Sequence, residues 1–372
     1  MATIVHLANF FGPRSGGIRT CARELANSYA ALGHKTHIIV PGIQDLETDK
    51  GSVVFHEIAS PVVPKSGGYR VILRTKQVEK LLERIQPDAI ELSDRTTLLP
   101  ISSWAKSHGI PVTIMAHERL DGVIHSFAPS ITGVGIADRL NRLAAKHGAS
   151  LVCTTNYAGQ EFDRIGIEYT KVALGVDLET FSPDKANSQW REKFDAEVLV
   201  MLCSRLSSEK RPDFAIDVLE SLIKSGVKAH LLVAGAGPLE RSIASKLKYL
   251  PATMLGFLDG RAHVAQALAS SDVVIAPGPI ETFGLAALEA LACGTPVISN
   301  YGSAIPEVVG GAGLALPLSG ELWSRGVQKL VASPDIRFKA RRRAEEFTWI
   351  KTAQRMLEIH GLLPASARDH AA

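Results

Sequence analysis

Cysteine is scarce: Cys21, Cys153, Cys203 and Cys293 are the four in 372 residues, and they are scattered. None stands in a C-x-x-C pair or beside a set of histidines, so neither a disulfide scaffold nor a zinc site is indicated, and the pattern fits reduced thiols in the cytosol. No apolar run reaches the ~18 residues that a membrane-spanning helix needs. The start, MATIVHLANFFG, lacks a basic segment followed by a long apolar one and reads as a first strand rather than a signal peptide. A net charge of +3 is too small to argue for nucleic acid as a partner. No acidic D-x-D clamp follows a strand and the histidines are dispersed, so no metal site and no cofactor are expected.

What is present is ordinary in amount and regular in order. The chain is 46% hydrophobic and 21% charged, and is long enough for two domains. Short apolar runs alternate with helical patterns. In the first half the expected strands are Thr3–Ala8, Thr36–Val40, Ala89–Leu92, Val112–Ala116 and Leu151–Thr154. Helices are expected over Ile18–Leu32 and Leu98–His108. The pattern restarts with strands at Val198–Cys203, Ala229–Ala234, Thr253–Leu255, Val273–Ala276 and Val297–Ser299. Helices lie between them at Pro212–Ser225, Arg261–Ala269 and from about Phe283. Such alternation predicts α/β architecture with parallel sheets covered on both faces. The expected domains are 1–175, 176–345 and a tail of 346–372, with the junction near L-G-V-D-L-E-T-F-S-P.

Residues 275–301, IAPGPIETFGLAALEALACGTPVISNY, carry the densest chemistry. An apolar strand feeds a loop, and the loop feeds a helix. The helix start offers unpaired backbone N–H groups and a partial positive charge, a seat for a diphosphate. Glu281 stands just before that seat, where it would grip a sugar. Thr282, Phe283, Gly284 and Leu285 form the turn, and Glu289, two turns along, is placed to take both hydroxyls of a ribose. Arg205 and Lys210, in S-R-L-S-S-E-K after the first strand of the second half, suit a diphosphate leaving group whose charge grows as its bond to the sugar breaks. Gly16 and Gly17 close a glycine-rich loop after the first strand and let backbone approach phosphate. His117, in M-A-H-E-R, ends an apolar strand, and Asp94, in E-L-S-D-R, ends another.

Two stretches are basic. Lys65, Arg70, Arg74, Lys76, Lys80 and Arg84 lie against Glu79 and Glu83, and five of the seven residues from Arg337 to Arg343 are basic. Clusters of this size can hold a protein on an anionic bilayer. In the first, Arg70, Arg74, Lys80 and Arg84 would share one face of a helix.

The 275–301 string, continued by the Glu307 of A-I-P-E-V-V, resembles the signature of retaining family-4 glycosyltransferases of the GT-B fold. That resemblance spans nearly the whole chain. It implies two Rossmann-like domains facing across a cleft, with a C-terminal helix near Phe347 crossing back to the first. S-R-L-S-S-E-K is similar to the family's G-R-x-x-x-E-K, with Ser204 where glycine is usual. Gly235–Pro238 is similar to its G-x-G-P turn, which places Gly237 and Pro238 on the donor nucleotide. Phe257, in G-F-L, stands where the backbone meets the base. His117 matches the histidine that contacts the donor sugar, which makes His117 and Glu281 the candidate catalytic pair.

The segments N-F-F-G-P-R-S-G-G-I-R-T, S-G-G-Y-R, E-L-S-D-R and H-E-R-L-D resemble the actinobacterial phosphatidylinositol-mannoside mannosyltransferases. They imply GDP-mannose as donor, a membrane glycolipid as acceptor, and Arg14, Tyr69, Arg70, Asp94 and Arg119 as acceptor contacts. The expected place is the cytoplasm, peripheral at the inner face of the membrane. A transferase with another donor, such as UDP-glucose, and a soluble acceptor remains open, as does a non-catalytic nucleotide-sugar-binding module.

Overall fold

A computed structural model describes residues 1–12, 16–63, 68–127 and 133–363. The chain forms two compact units, divided at Gly175/Val176 and again at Thr348/Trp349, with the helix Trp349–Ile359 in the first.

The first unit holds β1 (Thr3–Leu7), β2 (Lys35–Gly42), β3 (Leu46–Asp49), β4 (Val53–Ala59), β5 (Ala89–Leu92), β6 (Val112–Ala116), β7 (Ser150–Cys153) and β8 (Thr170–Lys171). Their order across the sheet is β3-β4-β2-β1-β5-β6-β7-β8, and only the β3–β4 pair is antiparallel. β5 and β6 are buried at every residue, the polar Glu91 and Thr113 included. β3, LETD, is exposed throughout and closes the edge with polar side chains. It has no apolar period and was invisible to pattern reading.

The second unit holds β9 (Val198–Cys203), β10 (Ala229–Ala234), β11 (Ala252–Gly256), β12 (Val273–Ala276), β13 (Val297–Asn300) and β14 (Gly313–Leu316). All pairs are parallel, in the order β11-β10-β9-β12-β13-β14. Counted from its first strand this is 3-2-1-4-5-6, the doubly wound order. The parallel strands β4-β2-β1-β5-β6-β7 repeat it in the first unit. Each sheet therefore reverses direction once, between β1 and β5 and between β9 and β12. Ligands of such sheets bind outside the carboxyl ends of the strands at that switch.

Both basic stretches differ from expectation. The helix in the first runs Thr75–Ile85, so Arg70 and Arg74 precede it and the four-cation face does not form. Arg70 instead sits in a bridge with Val62 and donates from Nη1 to the Ser60 carbonyl at 2.5 Å. Val78 and Leu82 are buried, while Lys76, Lys80 and Arg84, spaced at one helical turn, are exposed. Lys65 lies outside the described residues.

In the second stretch three arginines cap helix C-termini, where carbonyls are left without partners. Arg337 donates to the carbonyls of Ala269 and Ser271 at 2.8 and 2.9 Å, at the end of the helix Arg261–Ser270. Arg341 reaches Ala292 and Phe181, both at 2.9 Å, at the end of the helix Leu285–Ala292. Arg343 reaches Val308 and Glu307, both at 2.8 Å. These three arginines tie the second unit together.

Candidate active site

Within the second unit, the switch point is built by three loops locked together. Gly235 has φ 130°, and a Cβ there would lie 1.9 Å from the Ser204 carbonyl oxygen; one at Gly237 would lie 2.4 Å from that of Leu206. The Leu206 N–H donates to Ala236 at 3.0 Å, and Leu239 donates back to Leu206 at 2.9 Å. The glycines of the G-A-G-P turn thus let the backbone pack against the loop that carries Arg205 and Lys210. Their Cβ positions are filled by the backbone of that loop. Pro238 follows in the same turn.

The third loop follows β12. A Cβ at Gly278 would come 3.0 Å from the Glu209 carbonyl oxygen and 3.2 Å from the Lys210 Cα. This close approach sets Lys210 Nζ 2.5 Å from Glu281 Oε1, both side chains about a quarter exposed (23% and 24%). Asn300, at the end of β13, braces the loop by donating to the Pro277 carbonyl at 3.2 Å; nothing in the local pattern marked it. Phe283 is buried and packs edge-on against Phe347 at 6.1 Å, so its ring belongs to the core and not to a ligand face. Gly284 takes φ 89°, and the helix starts at Leu285, two residues later than expected. A left-handed residue cannot continue a helix, and a Cβ at this position would also strike Ile305 at 2.7 Å. Thr282 and Leu285 are half-buried at the helix start.

Glu289 is half-buried on the second turn. Burial, with the Glu289 charge nearby, pushes the Cys203 thiol up to about 12, and burial with the same carboxylate does so for Cys293. Glu289 thus stands near the carboxyl end of β9, and both cysteines remain thiols. Arg205 is exposed, and so is half of Phe257, beyond β11.

Within the first unit, the helix Gly17–Ala31 opens from the loop after β1, with Gly16 at its N-cap and both glycines exposed. Arg14 lies outside the described residues. Tyr69 sits edge-on to Phe10 at 6.2 Å and within 3.7 Å of where a Gly12 Cβ would be, so it covers this loop.

Asp94 builds the loop after β5. Its carboxylate accepts from the Asn9 amide at 2.9 Å, from the backbone N–H groups of Thr96 and Thr97 at 3.0 Å, and from both hydroxyls. Asn9, fully buried, also accepts from the Ile72 N–H at 2.8 Å. Arg119 is likewise engaged by its own unit. Its guanidinium forks onto Asp121, meets Gln160 at 3.0 Å and lies over the Tyr157 ring.

His117, just past β6, places Nε2 3.1 Å from Ser93 Oγ. Burial, then the neighbouring His6 and Arg95, draws its pKa down to about 3, so the ring is neutral near pH 7. Among the described residues no group of three His, Cys, Asp or Glu could hold a metal ion, and no helix is long and apolar enough to cross a membrane.

Known proteins carry the same two-part arrangement. Residues 15–180 match glycosyltransferase family 4, and residues 197–333 match the glycosyl transferases of group 1. A protein of Mycobacterium tuberculosis, GDP-mannose-dependent alpha-(1-6)-phosphatidylinositol dimannoside mannosyltransferase, is 41% identical over 98% of this chain and 97% of its own. The chain is a family-4 glycosyltransferase.

The solved structures agree on the fold. Anabaena HepE, with UDP and glucose, superposes with a TM-score of 0.75 at 17% identity, over 98% of this chain and all of that one. Sucrose-phosphate synthase of Thermosynechococcus elongatus does so with the same score and identity, over 97% and 98%. The glycosyltransferase therefore has the GT-B fold. Its second unit presents a cation, a carboxylate and a helix N-terminus together at one switch point. That set can hold an anionic leaving group and a hydroxylated ring side by side.

Proposed function

We propose that this glycosyltransferase moves mannose from GDP-mannose to a phosphatidylinositol dimannoside, with retention at the anomeric carbon. The observation that carries the reading is the 41% identity, over nearly both full lengths, to a mannosyltransferase of that description. The Lys210–Glu281 pair gives it a chemistry. On donor binding Lys210 turns from Glu281 to the diphosphate, joined by Arg205 and the N–H groups at Leu285. Together they stabilise the charge that develops as the sugar–phosphate bond breaks. Glu281 then takes sugar hydroxyls, and Glu289 takes those of the ribose. His117 contacts the donor sugar. The leaving phosphate oxygen accepts the acceptor's proton on the face from which it departs.

The acceptor reaches the loop closed by Gly16 and Gly17, with Tyr69 beside it. The exposed line of Lys76 and Lys80 holds the first unit at the anionic inner face of the membrane, each cation contributing about 1 kcal/mol near the surface.

Mass spectrometry of products tests this. GDP-mannose and UDP-glucose are supplied separately with purified phosphatidylinositol dimannoside. One added hexose from GDP-mannose alone is expected. Transfer from UDP-glucose alone, or no transfer to this lipid from GDP-mannose, overturns the reading.

A further inference from the structure

Along the carboxyl edge of the second sheet the loops stand in strand order. Phe257 follows β11, the G-A-G-P turn follows β10, Arg205 and Lys210 follow β9, and Glu281 follows β12. In the proposed reaction this row runs from the base of the donor, past its diphosphate, to its hexose. One strand further, about 4.8 Å on at the usual spacing of a sheet, β13 ends and Tyr301 follows it. Tyr301 is 66% exposed. Among the described residues its ring packs on no other ring and its hydroxyl makes no hydrogen bond.

The backbone around it is fixed by its neighbours. Asn300 donates to the Pro277 carbonyl at 3.2 Å, and its Oδ1 accepts from the Gly302 N–H at 2.9 Å. Ser303 Oγ donates to the Asn300 carbonyl at 2.9 Å. The Ala304 N–H donates to the carbonyl of Glu281 itself at 3.0 Å, and the Tyr301 N–H to that of Leu316, in β14, at 3.1 Å. Asn300, Ser303 and Ala304 are buried. Two bonds, one before Tyr301 and one after it, thus tie this loop to the loop that carries Glu281. We propose that the Tyr301 ring is a binding platform for a hexopyranose, beside the Glu281 carboxylate.

The fold holds this backbone rigid and leaves the side chain unused, which is the preorganisation that a ligand contact needs. Tyrosine presents a flat apolar face with a polar tip and loses only two side-chain torsions when it is covered. A hexopyranose is its complement. One side of the sugar carries C–H groups, which lie against the electron-rich face of an aromatic ring, while the hydroxyls at the rim stay free for a carboxylate. Exposed aromatic residues elsewhere in this unit lack the setting: Tyr249 precedes β11, at the other end of the strands, and Phe338 lies in the helix Ile336–Ala344. The donor brings one hexose and a dimannoside acceptor brings two, and the stacking chemistry is the same for each. The inference rests on the reading of Glu281 as the group that takes sugar hydroxyls.

The test compares Tyr301→Ala and Tyr301→Phe with the parent, all as the full-length protein. Rates are measured against GDP-mannose and against phosphatidylinositol dimannoside in turn, each with the other saturating. Calorimetry is run with GDP, which carries no hexose. Tyr301→Ala should raise at least one KM by roughly tenfold, the scale of one lost aromatic contact, with parent affinity for GDP and the parent melting temperature. A rise for GDP-mannose assigns the platform to the donor's hexose, and a rise for the dimannoside to the acceptor's. Tyr301→Phe, which keeps the ring, should recover most of the loss. Parent KM values for both substrates in Tyr301→Ala overturn the proposal. So does an equal loss in Tyr301→Phe, an equal loss of GDP affinity, or a loss that follows a lowered melting temperature. Glu281→Ala separates the two ideas: parent rates there sink the sugar site itself, whereas lost turnover there beside an unaltered Tyr301→Ala sinks only the platform. If the parent transfers from UDP-glucose instead, the same series with UDP-glucose and UDP decides, because glucose is also a hexopyranose.

Discussion

The two switch points occupy the same place in the same topology and are bridged differently. In the first unit Asn9 and Asp94 join the loops after β1 and β5, and both are buried. In the second, Lys210 and Glu281 join the loops after β9 and β12, and each keeps about a quarter of its surface in water. A buried carboxylate with its acceptor sites filled cannot be reopened without stranding its donors. A partly exposed ion pair is worth little and exchanges readily for another charge. One bridge is therefore architecture, and the other is a partly exposed pair, which the proposed mechanism uses as a latch opened by the diphosphate.

That contrast is most directly broken at Lys210. Replacing Lys210 with Ala should cut kcat about a hundredfold or more, on the order of 3 kcal/mol, because a contact to developing charge is lost. The melting temperature should barely move. Initial rates and a thermal melt check both, and near-parent activity would remove the latch from the mechanism.

Asp94→Ala should do the opposite. Losing the common acceptor of Asn9, Thr96 and Thr97 should cost about 2–3 kcal/mol of stability. Urea denaturation measures it, and a variant as stable as the parent but inactive would return Asp94 to the acceptor site.

The two basic stretches sharpen the same comparison. Changing Lys76 and Lys80 to Ser should weaken binding to phosphatidylinositol-containing vesicles by roughly 2 kcal/mol in low salt. Arg341→Ala should leave vesicle binding alone and lower stability instead. Co-sedimentation that responds to Arg341 and ignores the lysines would reverse the assignment.

The smallest effects are expected on GDP binding at Glu289 and Glu281. Glu289→Ala should weaken GDP binding about tenfold, the loss of about 1.4 kcal/mol of hydrogen bonding to a charged group. Glu281→Ala should weaken GDP binding less, since that carboxylate faces the sugar. Calorimetry with GDP that ranks them the other way exchanges their roles.

Legibility in the sequence followed the same divide. In the second unit Glu281, the turn, the helix start and Glu289 lie within nine consecutive residues, so one segment displays the site. Even there, the packing of Phe283 against Phe347 and of Gly237 against Leu206 was not legible, because it is not written in neighbouring residues. In the first unit hydrogen-bond distances join residues 6, 29, 91, 93, 117 and 360, of which His117 alone was marked by its own segment. The arginines of 337–343 looked like surface charge for the same reason. The helix-end partners of Arg337, Arg341 and Arg343 lie 35 to 68 residues away in the chain.

By itself, then, the sequence determined the alternation of strand and helix, the restart that makes two sheets, and the chemistry of residues close along the chain. Those depend on side-chain period and local backbone geometry, which act over a few residues. Only the tertiary structure decided which charges are committed. Whether a carboxylate or guanidinium meets a ligand or a distant carbonyl depends on what folding brings within about 3 Å of it. Sheet order made that choice here, setting Lys210 against Glu281 and hiding Asp94 beneath Asn9.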